Sequence, residues 1–220
     1  MDNAQLFFST YFRIEQPCVV LDIGSQDVNG TMRNVAPAYC RYIGVDFSAG
    51  AGVDIVLQDP YRLPFADGSV DAVVSSSCFE HIEFFWLMFI EVMRVLKPNG
   101  LFYLNAPTNG DYHRYPVDCW RFYPDAGGAL VHWAQRNGFK PALLESFVAY
   151  QKRDIWNDFV AVFIRDESCA TEHPGRMLDQ LEHYMNGKLH GGRAILRPQV
   201  ASEDRALLGA LSNELRQADS

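Results

Sequence analysis

The sequence predicts an α/β fold in which a doubly wound, mostly parallel sheet is followed by a helical C-terminal extension. Short, mainly apolar runs at residues 19–23, 41–45, 53–57, 72–75 and 101–105 have the length and character of strands buried on both faces. Between the last two of these runs, residues 84–96 carry apolar side chains at 85, 88, 89, 92, 93 and 96, the spacing of a helix. Successive runs also end in acids or small residues: Asp22 and Gly24, then Asp46, Asp59 and Ser75. Open α/β sheets bind ligands just beyond the carboxyl ends of their strands, so these residues mark one edge as the candidate site.

The chain has 220 residues, enough for one domain with an appendage and a substantial core. We divide it into a domain at 1–166 and an extension at 167–220 that serves as a lid or an interface. A net charge of -8 argues against a nucleic-acid partner, whose binding face should be basic. The five cysteines, Cys18, Cys40, Cys78, Cys119 and Cys169, are scattered and odd in number, with no C-x-x-C pair. Neither a zinc ribbon nor a disulfide framework is expected, and a reducing cytoplasm fits best. Asp2 and the absence of a basic N-terminal region argue against a signal peptide, and the apolar run at 84–90 is too short for a membrane span.

Taken in order, Leu6, Phe7, Phe8, Tyr11 and Phe12 form one face of a short helix within residues 1–16. It is expected to pack on the sheet, with a flap over the ligand edge as the alternative. After the first strand, Gly24 lets the backbone turn tightly and approach a ligand closely. Residues 28–36 can form a helix stopped near Pro37. The second strand ends at Asp46, about two dozen residues beyond Asp22, the span of one strand-helix-strand unit. An acid there accepts hydrogen bonds from ribose hydroxyls, and its two oxygens match a vicinal diol. The third strand leads into a loop anchored by Leu63-Pro64-Phe65 and turned at Asp67-Gly68. The fourth is followed by Ser76-Ser77-Cys78-Phe79-Glu80-His81-Ile82. Lys97, Pro98 and Asn99-Gly100 end the 84–96 helix and open the fifth strand. A helix at 126–137 and strands at 142–150 and 159–165 complete the domain, with Lys152, Arg153 and Asp154 as solvated connector charges.

The ordered set Asp22-Ile23-Gly24, Val45-Asp46, 59–65, 71–82 and Leu96-Lys97-Pro98-Asn99-Gly100-Leu101 resembles the class I S-adenosylmethionine-dependent methyltransferases. The resemblance covers roughly residues 18–165 and is closest to the subgroup with a Leu-Pro-Phe loop and a Glu-His-Ile after the fourth strand. It implies a Rossmann-like, seven-stranded sheet with an antiparallel last strand, and S-adenosylmethionine as cofactor. The cofactor-binding residues it implies are Asp22, Gly24, Gln26, Asp46, Phe47, Asp59, Tyr61, Ser75 and Ser76. Among them the backbone at Gly24 faces the methionine part, Asp46 holds the ribose, Asp59 accepts from the adenine amino group, and Ser75 and Ser76 offer carbonyls. Two residues depart from the family pattern. Gln26 replaces a common glycine, and Pro60 lacks the N–H that usually reaches adenine, leaving Tyr61 N–H to replace it.

Residues 106–124 are too polar and proline-rich for a core element, yet dense in aromatics. Asn109, Tyr112, Arg114, Tyr115, Asp118, Trp120 and Arg121 are the expected acceptor-binding residues, combining stacking faces with bidentate polar groups as sugar-binding surfaces do. A structural loop covering the sheet edge is the alternative. Similar His-Arg-Tyr-Pro and Trp-Arg-Phe segments occur in methyltransferase-like proteins of cell-surface polysaccharide synthesis, a looser resemblance. A sulfonium methyl is already activated, so the protein need only position the nucleophile in line and accept its proton. An imidazole titrating near pH ~6.5 suits an alcohol nucleophile, and His113 is the preferred base, with His81 its competitor. A metal site built from Glu80, His81, His113 and Asp118 requires a convergence that the sequence does not show, so no metal is expected.

Beyond residue 166, segments 177–185 and 206–215 read as helices. Leu207, Leu208, Leu211 and Leu215 form an apolar stripe that either docks on its own domain or serves a homodimer. The resulting expectation is a methyltransferase acting on a hydroxyl of a small molecule, sugar or glycan. A noncatalytic methyltransferase-like scaffold is the alternative, and a nucleotide-dependent oxidoreductase a weaker one, since a full G-x-G-x-x-G is missing.

Overall fold

The structure, a computed structural model, describes residues 2–152 and 155–218. Its strands are β1 (Cys18–Ile23), β2 (Cys40–Asp46), β3 (Ile55–Val56), β4 (Val70–Ser76), β5 (Leu96–Pro107), β6 (Ala142–Val148), β7 (Asp158–Ile164) and β8 (Met185–Leu189). They form one sheet in the order β3-β2-β1-β4-β5-β7-β6-β8. The pairs from β3 to β5 are parallel, whereas β7 runs antiparallel between β5 and β6, and β8 antiparallel to β6. The strands at the centre are buried on both faces, which is why their sequences are continuous apolar runs rather than alternating ones.

Alternate residues of these strands enter two cores. Leu21, Val73, Phe102, Leu104 and Phe163 face Met88, Phe89 and Met93 of α2 (Phe85–Val95) and Leu130 of α3 (Ala126–Arg136). On the other face, Val20, Val74, Tyr103 and Val162 meet Phe7 and Phe8 of α1 (Asp2–Tyr11), together with Met177, Leu178 and Tyr184. The N-terminal helix therefore packs on the sheet as expected. Its first turn also reaches the carboxyl edge, where Asn3 Nδ2 donates to Asn105 Oδ1 at 3.1 Å.

Several expectations are corrected. Residues 28–36 hold only a 3-10 turn, Met32–Val35, capped by the Thr31 side chain. The third strand shrinks to two residues. Residues 177–185 are not a helix: a 3-10 turn, Met177–Asp179, leads into β8, which raises the strand number from seven to eight and joins the supposed extension to the main sheet. The cause lies far away in sequence. Buried Glu145 on β6 accepts hydrogen bonds from Met177 N at 2.7 Å, Leu178 N at 2.9 Å and Tyr11 Oη at 2.6 Å, drawing that backbone into a turn. Cys18 and Cys40, paired in register across β1 and β2, form a disulfide that their scattered spacing did not lead us to expect. Arg153 and Asp154 lie outside the described residues.

The last helix, α4 (Glu203–Ala218), is held by its first turn. Glu203 accepts from Gln151 N and Asn157 Nδ2, and Asp204 from Gln151 Nε2 and Asn109 Nδ2. Its leucine stripe does not dock on the domain: Leu207, Leu208, Leu211 and Leu215 are all exposed. No helix among the described residues is long and apolar enough to cross a membrane.

The Leu63-Pro64-Phe65 loop is held by charge as well as by packing. Buried Glu91 accepts from Leu63 N at 2.9 Å and from Arg94 through Nε and Nη2, while Arg94 also donates to the carbonyls of Leu63 and Phe65. Burial pushes the Glu91 carboxyl up, but Arg94 and the Leu63 N–H outweigh it, and its pKa falls below the ordinary value. A depressed carboxylate stabilises the fold above the unfolded-state value of about 4.3, and that contribution fades as pH falls through the folded-state value. Glu91→Gln should therefore cost about 2 kcal/mol at pH 7 in urea unfolding, with the gap to wild type narrowing below about pH 4.

Candidate active site at the carboxyl edge of the sheet

The turn after β1 is built around a backbone that tolerates no side chain. Gly24 has φ of 78°, and a Cβ placed on it would lie 2.4 Å from Cys78 Sγ in the connection after β4. Gly24 N and Ser25 N both donate to Val45 O at the end of β2, which ties the turn to the neighbouring strand. Asp46 is buried beside them, accepting from Ser48 N at 3.2 Å and Gln26 N at 3.4 Å. The Gln26 side chain accepts from Ser48 Oγ at 3.4 Å and packs against Gly50. Gln26 is thus accommodated by a glycine opposite.

Asp22 is buried, with Tyr42 Oη donating to its Oδ2 at 2.6 Å. Burial raises its pKa to about 6, with Asp46 adding to the rise while Tyr42 and Arg33 oppose it. Its Oδ1 and the neighbouring Ser25 Oγ are buried without a hydrogen-bond partner. Buried polar atoms are nearly always paired, so these two offer unused capacity for a polar ligand. With Asp46 at the end of β2 and the Gly24 turn, they fit the polar end and ribose of S-adenosylmethionine. Other members of the expected set are committed elsewhere. Ser75 Oγ donates to Ile23 O and clamps β4 to β1. Asp59 is exposed and accepts from Tyr61 N at 2.8 Å in a local turn, so the N–H expected to replace that of Pro60 is already engaged. Ser76 is half-buried at the end of β4.

Residues 108–124 have almost no regular structure, and their own side chains hold them together. Asp118 accepts two hydrogen bonds from Arg121, at 2.6 and 2.9 Å, and one from His113 N at 2.8 Å, which drops its pKa to about 2, the Arg121 guanidinium contributing most. Arg121 also donates to the carbonyls of Asp111 and Trp120. Trp120 Nε1 donates to the carbonyls of Ile82 and Glu83, and its ring meets Phe85 and Trp86. Asn109 is saturated by Asn157, Ile155 and Asp204. Asn109, Asp118, Trp120 and Arg121 thus belong to the loop's framework. Tyr112, Arg114 and Tyr115 remain exposed, and Arg114, Tyr115 and Pro116 share a cavity of about 280 Å³ with Gln26, Phe47 and Ser48.

The loop also brings its histidine to the β4 connection. The rings of His81 and His113 meet edge to face, with centroids 4.9 Å apart, and Trp156 stands edge to face against His113. His81 Nδ1 lies 2.5 Å from Val117 O, and His113 Nδ1 lies 3.1 Å from Asp111 O and 3.5 Å from Asp118 Oδ2. A ring nitrogen that bonds a carbonyl oxygen does so as the donor, and the tautomer with the proton on Nδ1 leaves the lone pair on Nε2. Burial lowers the pKa of His81. Glu80 is buried behind them; burial raises its pKa to about 8, and its Oε2 has no hydrogen-bond partner. The sequence brought together by this loop includes Glu80, His81 and His113, whereas Asp118 supports from behind. Cys78 and Trp156 were not anticipated. Nothing near them in sequence signals a role, because both act through partners distant in the chain.

Residues 21–104 match a family described as a methyltransferase domain. A Mycobacterium sp. (strain JLS) protein named as an uncharacterized methyltransferase is 38% identical over 88 residues, which cover 34% of this chain and 35% of that protein. The chain thus spans about a third of the length of the curated relative it matches. Among solved structures, 1,6-didemethyltoxoflavin-N1-methyltransferase of Burkholderia thailandensis, with bound S-adenosylhomocysteine, is 14% identical with a TM-score of 0.56, over 75% of this chain and 77% of that one. The [4+2]-cyclase SpnF is 13% identical with the same TM-score, over 75% of this chain and 81% of that one. The matched segment is similar to a methyltransferase domain, and the solved structures share its α/β fold.

The closeness of Gly24 to Cys78 is testable. Gly24→Ala combines a left-handed backbone with a clash and should cost at least about 2 kcal/mol in urea unfolding. Cys78→Gly in the same chain should restore part of that loss, a coupling that a purely conformational penalty would not show.

Proposed function

We propose that the chain is an S-adenosylmethionine-dependent methyltransferase that acts on a hydroxyl of a small molecule, sugar or glycan. One observation carries this reading: Arg114, Tyr115 and Pro116 of the acceptor loop line the same cavity as Gln26, Phe47 and Ser48 of the cofactor edge. Donor and acceptor surfaces therefore face each other across one cleft. In this reading Asp46 holds the ribose hydroxyls, and the Gly24 turn with Asp22 and Ser25 receives the methionine part. Tyr112, Arg114 and Tyr115 supply stacking faces and a guanidinium to the acceptor. The chemistry asks for alignment of an oxygen with an activated methyl and for loss of one proton, and the His113–His81 pair supports the second requirement.

The cyclase neighbour, which has this fold but is named for another reaction, supports a second reading, in which the chain is a noncatalytic methyltransferase-like scaffold that keeps the fold without transferring a methyl group. Calorimetry should show binding of S-adenosylmethionine and S-adenosylhomocysteine, weakened about 10-fold or more by Asp46→Ala, while binding of NAD alone would overturn the proposal. The acceptor is identified by mass spectrometry of nucleotide sugars and glycans from cells with and without the protein. On that acceptor His113→Ala should lower turnover about 100-fold with cofactor affinity retained, and unchanged turnover would move the proton-accepting role to His81.

The reading also includes a homodimer through the exposed stripe of α4. Leu211→Asp should then convert a dimer to a monomer in light scattering, and a wild-type monomer would remove this part.

A further inference from the structure

Glu80, His81 and His113 place one ligand atom each so that all three lie within 4.8 Å of one another. Glu80 and His81 are not hydrogen-bonded, since His81 Nε2 and Glu80 Oε1 are 3.8 Å apart. Two ligands that each sit about 2.1 Å from one cation are roughly 3 to 4 Å apart, so a small closing of the triad brings it to coordination distance. His113 has room for that movement, because its side chain is 39% exposed whereas Glu80 is 1% exposed.

We propose that Glu80, His81 and His113 form a binding site for one divalent transition-metal cation on the acceptor side of the cleft. Three features support it independently of the spacing. Both imidazoles are held in the ligating tautomer, with Nδ1 directed at Val117 O and Asp111 O and the Nε2 lone pair left over. Metal-binding histidines almost always donate their other ring N–H in this way. Behind His113 stands a carboxylate, Asp118, itself fixed by Arg121, which is the outer-shell arrangement that orients such a ligand. Finally, the Glu80 carboxyl is buried and its Oε2 has no hydrogen-bond partner, which leaves the group capacity for a ligand such as a cation.

The donor set indicates the class of ion. Two imidazoles with one carboxylate suit zinc, iron, manganese or cobalt, whereas magnesium and calcium prefer sites made of oxygen alone. Three protein ligands leave coordination positions open toward the exposed side of His113. The use of those positions rests on the methyl-transfer reading: the acceptor oxygen coordinates the cation, its O–H bond breaks with the proton passing to water, and its lone pair attacks the sulfonium methyl as the sulfur–carbon bond breaks. His113 is then a ligand, and the cation replaces the imidazole in making the oxygen nucleophilic.

The whole chain, stripped of metal with a chelator, is titrated with Mn2+, Co2+ and Zn2+ by calorimetry, and the cobalt adduct is read by its visible absorption. One equivalent should bind, and His113→Ala or Glu80→Gln should each weaken binding by more than the about 10- to 100-fold typical of outer-shell losses. His132→Ala, an exposed histidine on α3, should leave binding unchanged, and circular dichroism checks that the variants fold. No binding of these ions, binding of Mg2+ alone, or binding that persists in both His113→Ala and Glu80→Gln would overturn the inference. These measurements need neither cofactor nor acceptor. A chain that binds S-adenosylmethionine but no cation loses only this inference, and one that binds a cation but no S-adenosylmethionine loses only the methyl-transfer reading.

Discussion

The placement of His113 and its neighbours depends on how an irregular loop is stitched to the connection after β4. Cys119 N and Trp120 N both donate to Glu80 O, at 2.8 and 3.1 Å, while Val117 O receives His81 Nδ1 and Phe122 N donates to Pro107 O. Residues 108–124 have no ladder or helix of their own to satisfy their backbone groups, so these bonds replace one. The Asp118–Arg121 pair then folds the loop back on itself and fixes the backbone N–H of His113. The histidine is therefore positioned by three layers of contacts, although its loop looks unstructured.

The opposite wall of the cleft is held by different means. There a parallel ladder sets the geometry, because β1, β2 and β4 run side by side and end together. Gly24 and Ser25 share Val45 O, Ser75 Oγ caps Ile23 O, and the approach of Gly24 to Cys78 leaves no room for a Cβ. Ladder order costs the site nothing extra, whereas loop order needs buried ion pairs, which add little net stability but impose geometry on their neighbours when they are complete. In the methyl-transfer reading proposed above, one rigid wall and one stitched wall would suit a fixed cofactor and a variable acceptor.

The sheet and its ligand edge were legible because their signals are local. A strand buried on both faces must be apolar throughout, and the residue that ends it must turn, so Asp22-Ile23-Gly24 and Val45-Asp46 stand out in the sequence. The failures share the opposite property. Residues 177–185 have helical spacing, but Glu145 takes up the N–H groups of Met177 and Leu178 from across 32 and 33 positions, and tertiary capture overrides local preference. The eighth strand follows from that capture, since the chain leaves the turn beside β6. Asn109, Asp118 and Arg121 have the residue types of a sugar site, yet the same donors and acceptors serve equally well to bind the loop to itself. Side-chain chemistry alone does not distinguish a group that waits for a ligand from one already satisfied.

Unsatisfied groups make that distinction, and here they are few and placed with a pattern. Among the described residues, the buried side-chain atoms without a partner are Asp22 Oδ1, Ser25 Oγ, Glu80 Oε2 and Ser146 Oγ. Two flank the turn at the end of β1, and a third lies beside the two histidines at the end of β4. An unpaired buried carboxyl oxygen costs stability that no interaction inside the chain returns, so its retention after both β1 and β4 is better explained by something that binds there than by packing. Ser146, in the middle of β6, has no such setting. The two acids differ in what they can accept. Asp22 keeps one oxygen on Tyr42 and has one left for a donor, whereas Glu80 is grouped with two imidazoles, each of which can offer a ligand atom to the same cation.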